Sequence, residues 1–416
     1  MDAELQIEDF DDPTYDPHTE ANSWGDNVDF WKDMLEAWEK NGPVHPGDFR
    51  ELAGLSEHAD YPEGQKTYQV FGTELIRSIL NDPETYSMEH FKVGFKAAFG
   101  NSLTQMDPPE HTQYRRIFQK VFLPNAIRHW SGSLVEPVVQ ELIDQFKDLD
   151  RVELIEAFTF PYPFEIIYRQ LKLPVDQRAI FHKLAIAQSV FQSNMEIASE
   201  AGRKLGNYFR VMLEERKKNP GDDLASILAQ VEVEGEHLPD DVIISFLRQL
   251  INAAGDTTYR STSNMMVCLL RDNPDQWKML VEDRSLIRGA IEETLRLHSP
   301  VGMAMRKVMR DVELEGVKIA KGSIVETANI LVGRDPEIFP NPHQFDITRE
   351  HPERHMGFSN GPHVCLGQHL ARLEMTRALN ALLDHFPNMR LDEDYPPPVI
   401  SGHLMLCPKE LHVILH

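Results

Sequence analysis

Apolar positions recur three and four residues apart through the middle of the chain, from about residue 110 to 300, and Pro and Asn-Pro breaks divide that stretch. The spacing predicts helices near 124–147, 174–217, 239–272 and 285–298. The alternating pattern of a strand is confined to short runs. Residues 68–71 alternate just ahead of a helix start at Gly72-Thr73, and residues 312–319 carry the alternation and central Gly316 of a hairpin, closed by the turn Lys321-Gly322. After Pro396-Pro397-Pro398 the chain again reads as turns and short strands. The expected fold class is mainly α, a large helical domain with small β-sheets. Between 334 and 365, Arg-Asp-Pro, Phe-Pro-Asn-Pro and Ser-Asn-Gly-Pro leave some 30 residues irregular. Long loops without secondary structure are often functional, so the chemistry is expected close to this one.

No internal repeat, low-complexity block or Gly/Ser linker divides the chain, so its 416 residues read as one large unit. Lys and Arg number 42 against 66 Asp and Glu, a net charge of -24. A surface that acidic has no general footprint for nucleic acid or anionic membrane. Residues 1–31 contain no Lys or Arg and are read as an acidic, solvated N-terminal arm ahead of a single domain at 32–416. They hold no signal-peptide core, and no apolar run of 18 residues appears, so no membrane anchor is expected and the location is read as cytoplasmic. Cys268, Cys365 and Cys407 are odd in number and widely spaced, which argues against a disulfide framework or structural zinc.

Four groups of residues could carry chemistry. Cys365 sits between a Gly-rich turn and a helix start, where backbone N–H groups favour a thiolate; a metal-bound thiolate and an inert buried cysteine both fit. Gly361 and Gly367 let the backbone pass close to something flat or bulky. Glu293 and Arg296 share a helix face, as do His111 and Arg115, a pair of donors suited to a carboxylate or to a solvated cationic face. The small polar interruption Ala253-Ala-Gly-Asp-Thr-Thr258 in the long helix suits either a kink at a close helix crossing or a site that uses the distortion. His343, His351 and His355 match no zinc spacing and are read as surface or supporting residues. Cys268 and Cys407 are read as packing residues.

The pattern Phe358-x-x-Gly361-x-x-x-Cys365-x-Gly367 resembles the haem-binding signature of the cytochrome P450 haem-thiolate monooxygenases. Glu293-Thr-Leu-Arg296 resembles the family's E-x-x-R, with Arg349 as the third partner. The resemblance runs from about residue 60 to 410. It implies haem b with the Cys365 thiolate as axial ligand. It also implies that His111, Arg115, Arg306 and His363 hold the haem propionates, and that Asp256 and Thr257 relay protons. Ala254 departs from the family pattern, which has Gly there. By position, Phe91, Phe95, Phe99, Phe181, Phe191, Leu250, Ala253, Val301, Met303 and Met305 would line the substrate pocket.

The implied activity is insertion of one oxygen atom of O2 into a C–H bond of a hydrophobic small molecule, whether terpenoid, steroid, fatty acid or aromatic. No flavin or nicotinamide fingerprint is present, so NAD(P)H would act only through redox partners, a [2Fe-2S]-type ferredoxin and its reductase. Arg116 and Arg372 are expected to give that ferredoxin a basic patch near Cys365. The alternatives are a haem-thiolate enzyme using peroxide or needing no external electrons, and a non-catalytic haem sensor.

Overall fold

The computed structural model describes residues 5–17, 27–55, 64–92 and 94–416. Among these, the helices that position the site are α1 (Gly94–Phe99), α2 (Glu110–Phe122), α3 (Pro161–Gln170), α4 (Arg178–Ser189), α5 (Met195–Lys218), α6 (Asp240–Val267), α7 (Ile287–His298) and α8 (Gln368–His385). The 28 residues of α6 span about 42 Å and one π turn, Cys268–Asp272, extends it. Its N-terminal half packs apolar side chains such as Leu247 and Ile251, whereas its C-terminal half buries Ser261, Thr262, Ser263 and Asn264. Buried polar groups need partners. The Tyr162 hydroxyl lies 2.6 Å from Thr262 Oγ1, Thr159 Oγ1 lies 2.7 Å from Ser263 Oγ, and Asn264 Nδ2 donates to the carbonyls of His298 and Leu406. These pegs fix α6 against α3 and α7.

The helical stretch expected over 174–217 is two helices. A turn at Val190–Gln192 breaks it, and α5 starts afresh where the Asn194 side chain accepts the Ile197 N–H at 3.2 Å. The hairpin expected over 312–319 is present as Val312–Leu314 and Val317–Ile319. A five-stranded sheet joins β1 (Val44–Pro46), β2 (Thr67–Val70), β3 (Tyr86–Ser87), β4 (Ala304–Val308) and β5 (Ile324–Thr327) in the order β1-β2-β5-β4-β3. Its β4–β5 register, Arg306 opposite Val325, fixes the segment 301–306 beside the cavity described below.

The N-terminal segment corrects the reading of a solvated arm. Ile7 and Phe10 are buried against α4 and α5, and the Ile7 N–H donates to Gln177 Oε1 at 2.7 Å. Two of its acids are paired in place, with Lys183 3.0 Å from Asp9 and the almost fully buried Lys204 3.1 Å from Glu8, while Asp11 and Asp12 stay exposed. Positions 1–4 and 18–26 of the expected arm lie outside the described residues. No helix among the described residues is long and apolar enough to cross a membrane.

The irregular stretch 334–365 lies against α7, and a close backbone approach sets its position. A Cβ placed on Gly289 would stand 1.9 Å from the Ile347 carbonyl oxygen. Because that neighbour is backbone, it can retreat only by moving the loop. Gly289→Ala is expected to destabilise the protein by about 3 kcal/mol, as overpacking does. A urea midpoint within error of the parent chain would show that the loop is not held at that distance.

Candidate functional site

Cys365 lies at one end of a cavity of about 510 Å3 that is bounded by α6, by the loop 356–367 and by the segments around Phe91 and Val301. Its N–H donates to the Phe358 carbonyl at 2.9 Å, which closes the loop, and α8 begins three residues later with Gly367 as its cap. Burial pushes the Cys365 thiol up, and the N–H groups of Gly367 and Gln368, with Arg115 and Arg372, pull the other way. Burial has the larger effect, and a cation bound at this position would favour the thiolate. Gly361 has φ +73°, and a Cβ there would stand 2.2 Å from the Leu80 carbonyl oxygen, whereas one on Gly367 would meet nothing within 4 Å. The first glycine seats the loop and the second borders open space.

Beneath the loop, Arg296 donates to both carboxylate oxygens of Glu293, at 2.7 and 2.8 Å, and to the carbonyls of Gly333, Pro342 and Gln344. Arg349 lies 2.9 Å from the same carboxylate. A second buried carboxylate, Glu292, takes Arg372 at 2.6 Å and His355 at 3.1 Å. His355 Nδ1 accepts the Gly357 N–H, so Nε2 is free to donate. Burial alone would raise the Glu292 pKa, but these two partners overcome it and pull it down to about 2. Of the other histidines, His343 stacks on Trp31 and His351 faces Glu353 at the surface.

The basic patch expected at Arg116 and Arg372 is corrected. Arg116 is held by Glu234 and Glu236 and Arg372 by Glu292, so both charges are neutralised within the chain. Helical spacing gave their positions but not these partners, which come from distant segments.

On the cavity wall His111, Arg115, Arg306 and His363 come together, the two imidazoles with ring centroids 4.1 Å apart. Both His111 nitrogens, His363 Nε2 and Arg115 Nε are buried without a hydrogen-bond partner. Burial and neighbouring cations push His111 down to about 4 and His363 to about 2, and burial lowers Arg306 to about 10. Among the described residues no Asp or Glu lines the cavity. The nearby Asp107 opposes this lowering only in part and already accepts from Ser87 Oγ and the Met88 N–H, so orphaned donors that depress one another's pKa values fit a ligand with anionic groups. The two propionates of a haem would meet that description, with these four side chains as the groups that would hold them.

On α6, Ala253, Ala254, Thr257, Thr258 and Ser261 face the cavity, and Thr257 Oγ1 donates back to the Ala253 carbonyl at 2.8 Å. Asp256 points elsewhere, with Oδ1 3.1 Å from Arg260 Nε. Gly255 does not replace a glycine at 254, since a Cβ on it would strike the Phe164 ring of α3 at 2.4 Å; it serves the helix crossing. Phe91, Phe95, Phe191, Leu250, Ala253, Val301, Met303 and Met305 line the cavity. Phe99 and Phe181 do not: Phe99 packs behind Phe95, and Phe181 lies edge-on to Tyr208 in the core. Sequence reasoning missed Phe246 and Gln249, although they share the helix face of Leu250 and Ala253. Gln192 and Met405 also line it and carry no local signal.

A family profile described as Cytochrome P450 matches residues 164–415. Over 368 residues the chain is 32% identical to cytochrome P450 monooxygenase PikC of Streptomyces venezuelae, covering 84% of this chain and 86% of that one. It is similar to the crystal structure of CYP109E1 from Bacillus megaterium in complex with testosterone, with TM-score 0.78 and 28% identity over 92% of this chain and 98% of that one. It is also similar to PksS, the cytochrome P450 of the bacillaene polyketide synthase of Bacillus subtilis 168, with TM-score 0.82 and 25% identity over 97% and 100% of the two chains.

His298, at the end of α7, gives a pH test independent of what fills the cavity. Burial and Arg334 lower its pKa to about 3, against about 6.5 in the unfolded chain. Its contribution to stability is therefore complete above pH 6.5 and is lost as pH falls toward 3, where the unfolded chain alone gains the proton. The urea midpoint should drop between pH 7 and 4, and less steeply in His298→Gln; equal slopes would mean that His298 is not held neutral.

Proposed function

The chain belongs to the cytochrome P450 family, and from that premise, which makes it a haem-thiolate monooxygenase, we propose that it inserts one oxygen atom of O2 into a C–H bond of a neutral hydrophobic molecule. The observation that carries this reading is the lining of the cavity that ends at Cys365. Away from the His111, Arg115, Arg306 and His363 cluster it is mostly Phe, Met, Leu and Ala, and its polar groups, such as Thr104, Gln192, Gln249, Thr257, Ser261 and Asn329, are uncharged, with no Asp, Glu or Lys among the described residues. A charged substrate would find no partner there. Terpenoid, steroid and aromatic skeletons suit such walls better than a fatty acid with its carboxylate, and the testosterone bound to the similar CYP109E1 makes steroids the first class to screen.

In this reading Cys365 holds haem b, and the four cationic or imidazole residues take its propionates through charge-assisted hydrogen bonds. When bound, haem supplies the redox chemistry of oxygen activation, with the thiolate donating electron density to the iron. The chain's own residues do the rest. Glu293, Arg296 and Arg349 keep the Cys365 loop in one conformation, and the aromatic walls orient the substrate and exclude water. Thr257 Oγ1 turns from the Ala253 carbonyl to present its proton to the cavity, and Asp256, released from Arg260, brings protons from the far side of α6. Electrons come from NAD(P)H through a reductase and a ferredoxin in the cytoplasm. With Arg116 and Arg372 internally paired, that ferredoxin docks on other groups.

The reduced, CO-bound protein should show a Soret band at the thiolate position that disappears in Cys365→Ala; an imidazole-type band would sink the ligand assignment. In a turnover assay with ferredoxin, Thr257→Ala should cut product formed per electron pair by roughly 10–100-fold while NADH consumption continues. Unchanged coupling would remove Thr257 from the relay.

A further inference from the structure

Beyond the oxygen chemistry, one guanidinium ties the walls of the cavity together. Arg248, on α6, reaches the C-terminal end of α1, where Nη2 donates to the carbonyls of Ala97, at 3.3 Å, and Ala98. Gln188 of α4 gives its Nε2–H to the same Ala98 oxygen at 2.7 Å. The last carbonyls of a short helix have no partners within it, so these donors cap α1 from outside. Helix α5 makes room for the arrangement. A Cβ on Gly202 would stand 2.1 Å from the Ala98 oxygen and 2.5 Å from Arg248 Nη2, and one on Gly206 would stand 3.4 Å from Arg248 Cδ. Four helices, α1, α4, α5 and α6, thus meet at a single carbonyl.

The charge at this junction is not balanced. Among the described residues Arg248 forms no ion pair, its Nε is buried without a partner, and the neighbouring charge, Arg210, has the same sign. Burial and Arg210 lower its pKa to about 10. Carbonyl hydrogen bonds offset only part of the cost of withdrawing a guanidinium from water, and that cost is recovered if the junction opens. What these bonds hold is one wall of the cavity: Phe95 of α1 lies edge-on to Phe191, in the turn between α4 and α5, with centroids 5.5 Å apart, and both line the chamber.

We propose that Arg248 is a positioning residue acting as a latch, which holds α1 and its Phe95 against the α4–α5 wall and lets these walls part when a ligand enters or leaves. The latch stands on the helix junction. That the chamber is the substrate's rests on the function proposed above.

Hydrogen–deuterium exchange on the haem-loaded full chain tests the latch without a known substrate. In Arg248→Met the amides of residues 94–100 should exchange roughly tenfold faster while those of α8 stay unchanged, since the lost bonds are charge-assisted. Arg248→Lys should restore part of the protection. Gly202→Ala, which pushes on the Ala98 carbonyl and leaves Arg248 in place, should expose the same segment. Exchange unchanged at 94–100, or raised equally in α8, would overturn the proposal. For gating, the association rate of 4-phenylimidazole, read from the Soret shift, should rise severalfold in Arg248→Met. A loosened α1 with an unaltered rate would leave a structural cap and refute the gate. Failure of the parent protein to bind the probe at all would count against the haem-chamber reading, and exchange would still decide the latch.

Discussion

A guanidinium taken out of water must place its N–H groups on protein oxygens, and Arg296 does so by drawing the loop onto itself. Glu293 comes from its own helix, and the carbonyls of Gly333, Pro342 and Gln344 come from a stretch with no strand partner to order it. Arg349 closes the figure by returning from that stretch to Glu293. Removing one partner of such a cluster typically costs about 3–5 kcal/mol, because the other charge is stranded. The position of Cys365 follows, since its loop runs on from this anchored segment and rests on Glu292, Arg372 and His355 above α7. Burial of charge here gives a long irregular loop one shape.

The same accounting applied to the cavity gives the opposite result. His111, Arg115, Arg306 and His363 are gathered on a wall that no carboxylate lines among the described residues, with Asp107 acting on His111 and Arg306 from behind it, in a chain whose formal charge is -24. Net charge describes the outside of this protein and conceals an inside of the other sign. Donors left orphaned in a fold that partners Arg296 so fully support the proposal that a bound anionic group completes them.

Much of this was legible in the sequence, for identifiable reasons. The period of α6, the breaks at Pro and the hairpin at Gly316 are local signals, and they placed elements to within a few residues. The Cys365 motif was legible because its glycines and its cysteine do distinct jobs at fixed spacing. What failed to show was tertiary. Glu8 and Asp9 read as solvated because their partners, Lys204 and Lys183, lie far along the chain. Arg116 read as a free cation because Glu234 and Glu236 sit in a distant hairpin. Phe181 and Phe191 looked alike as aromatics in one helical stretch, and only the break at Val190–Gln192 separates a core ring from a cavity ring. Gly255 sat inside a motif and serves a helix crossing instead.

The two ends of the cavity are built to different degrees of satisfaction, and that difference bears on how the site works. At the Cys365 end, Glu292 and Glu293 each meet an arginine, and burial keeps the geometry from relaxing. At the Phe95 end, the helices meet on one carbonyl capped by Arg248, which has no ion-pair partner among the described residues, and Met88, a side chain that reshapes at little cost, lines the same cavity. The oxidation proposed above would demand a fixed relation between the substrate and the Cys365 loop, since small misplacements forfeit large factors in rate. Admission of a bulky apolar molecule demands that some wall yield. Placing the fully satisfied charges beneath the chemistry and the unsatisfied one at the wall meets both demands within a single packed fold, without requiring either region to be rigid and mobile at once.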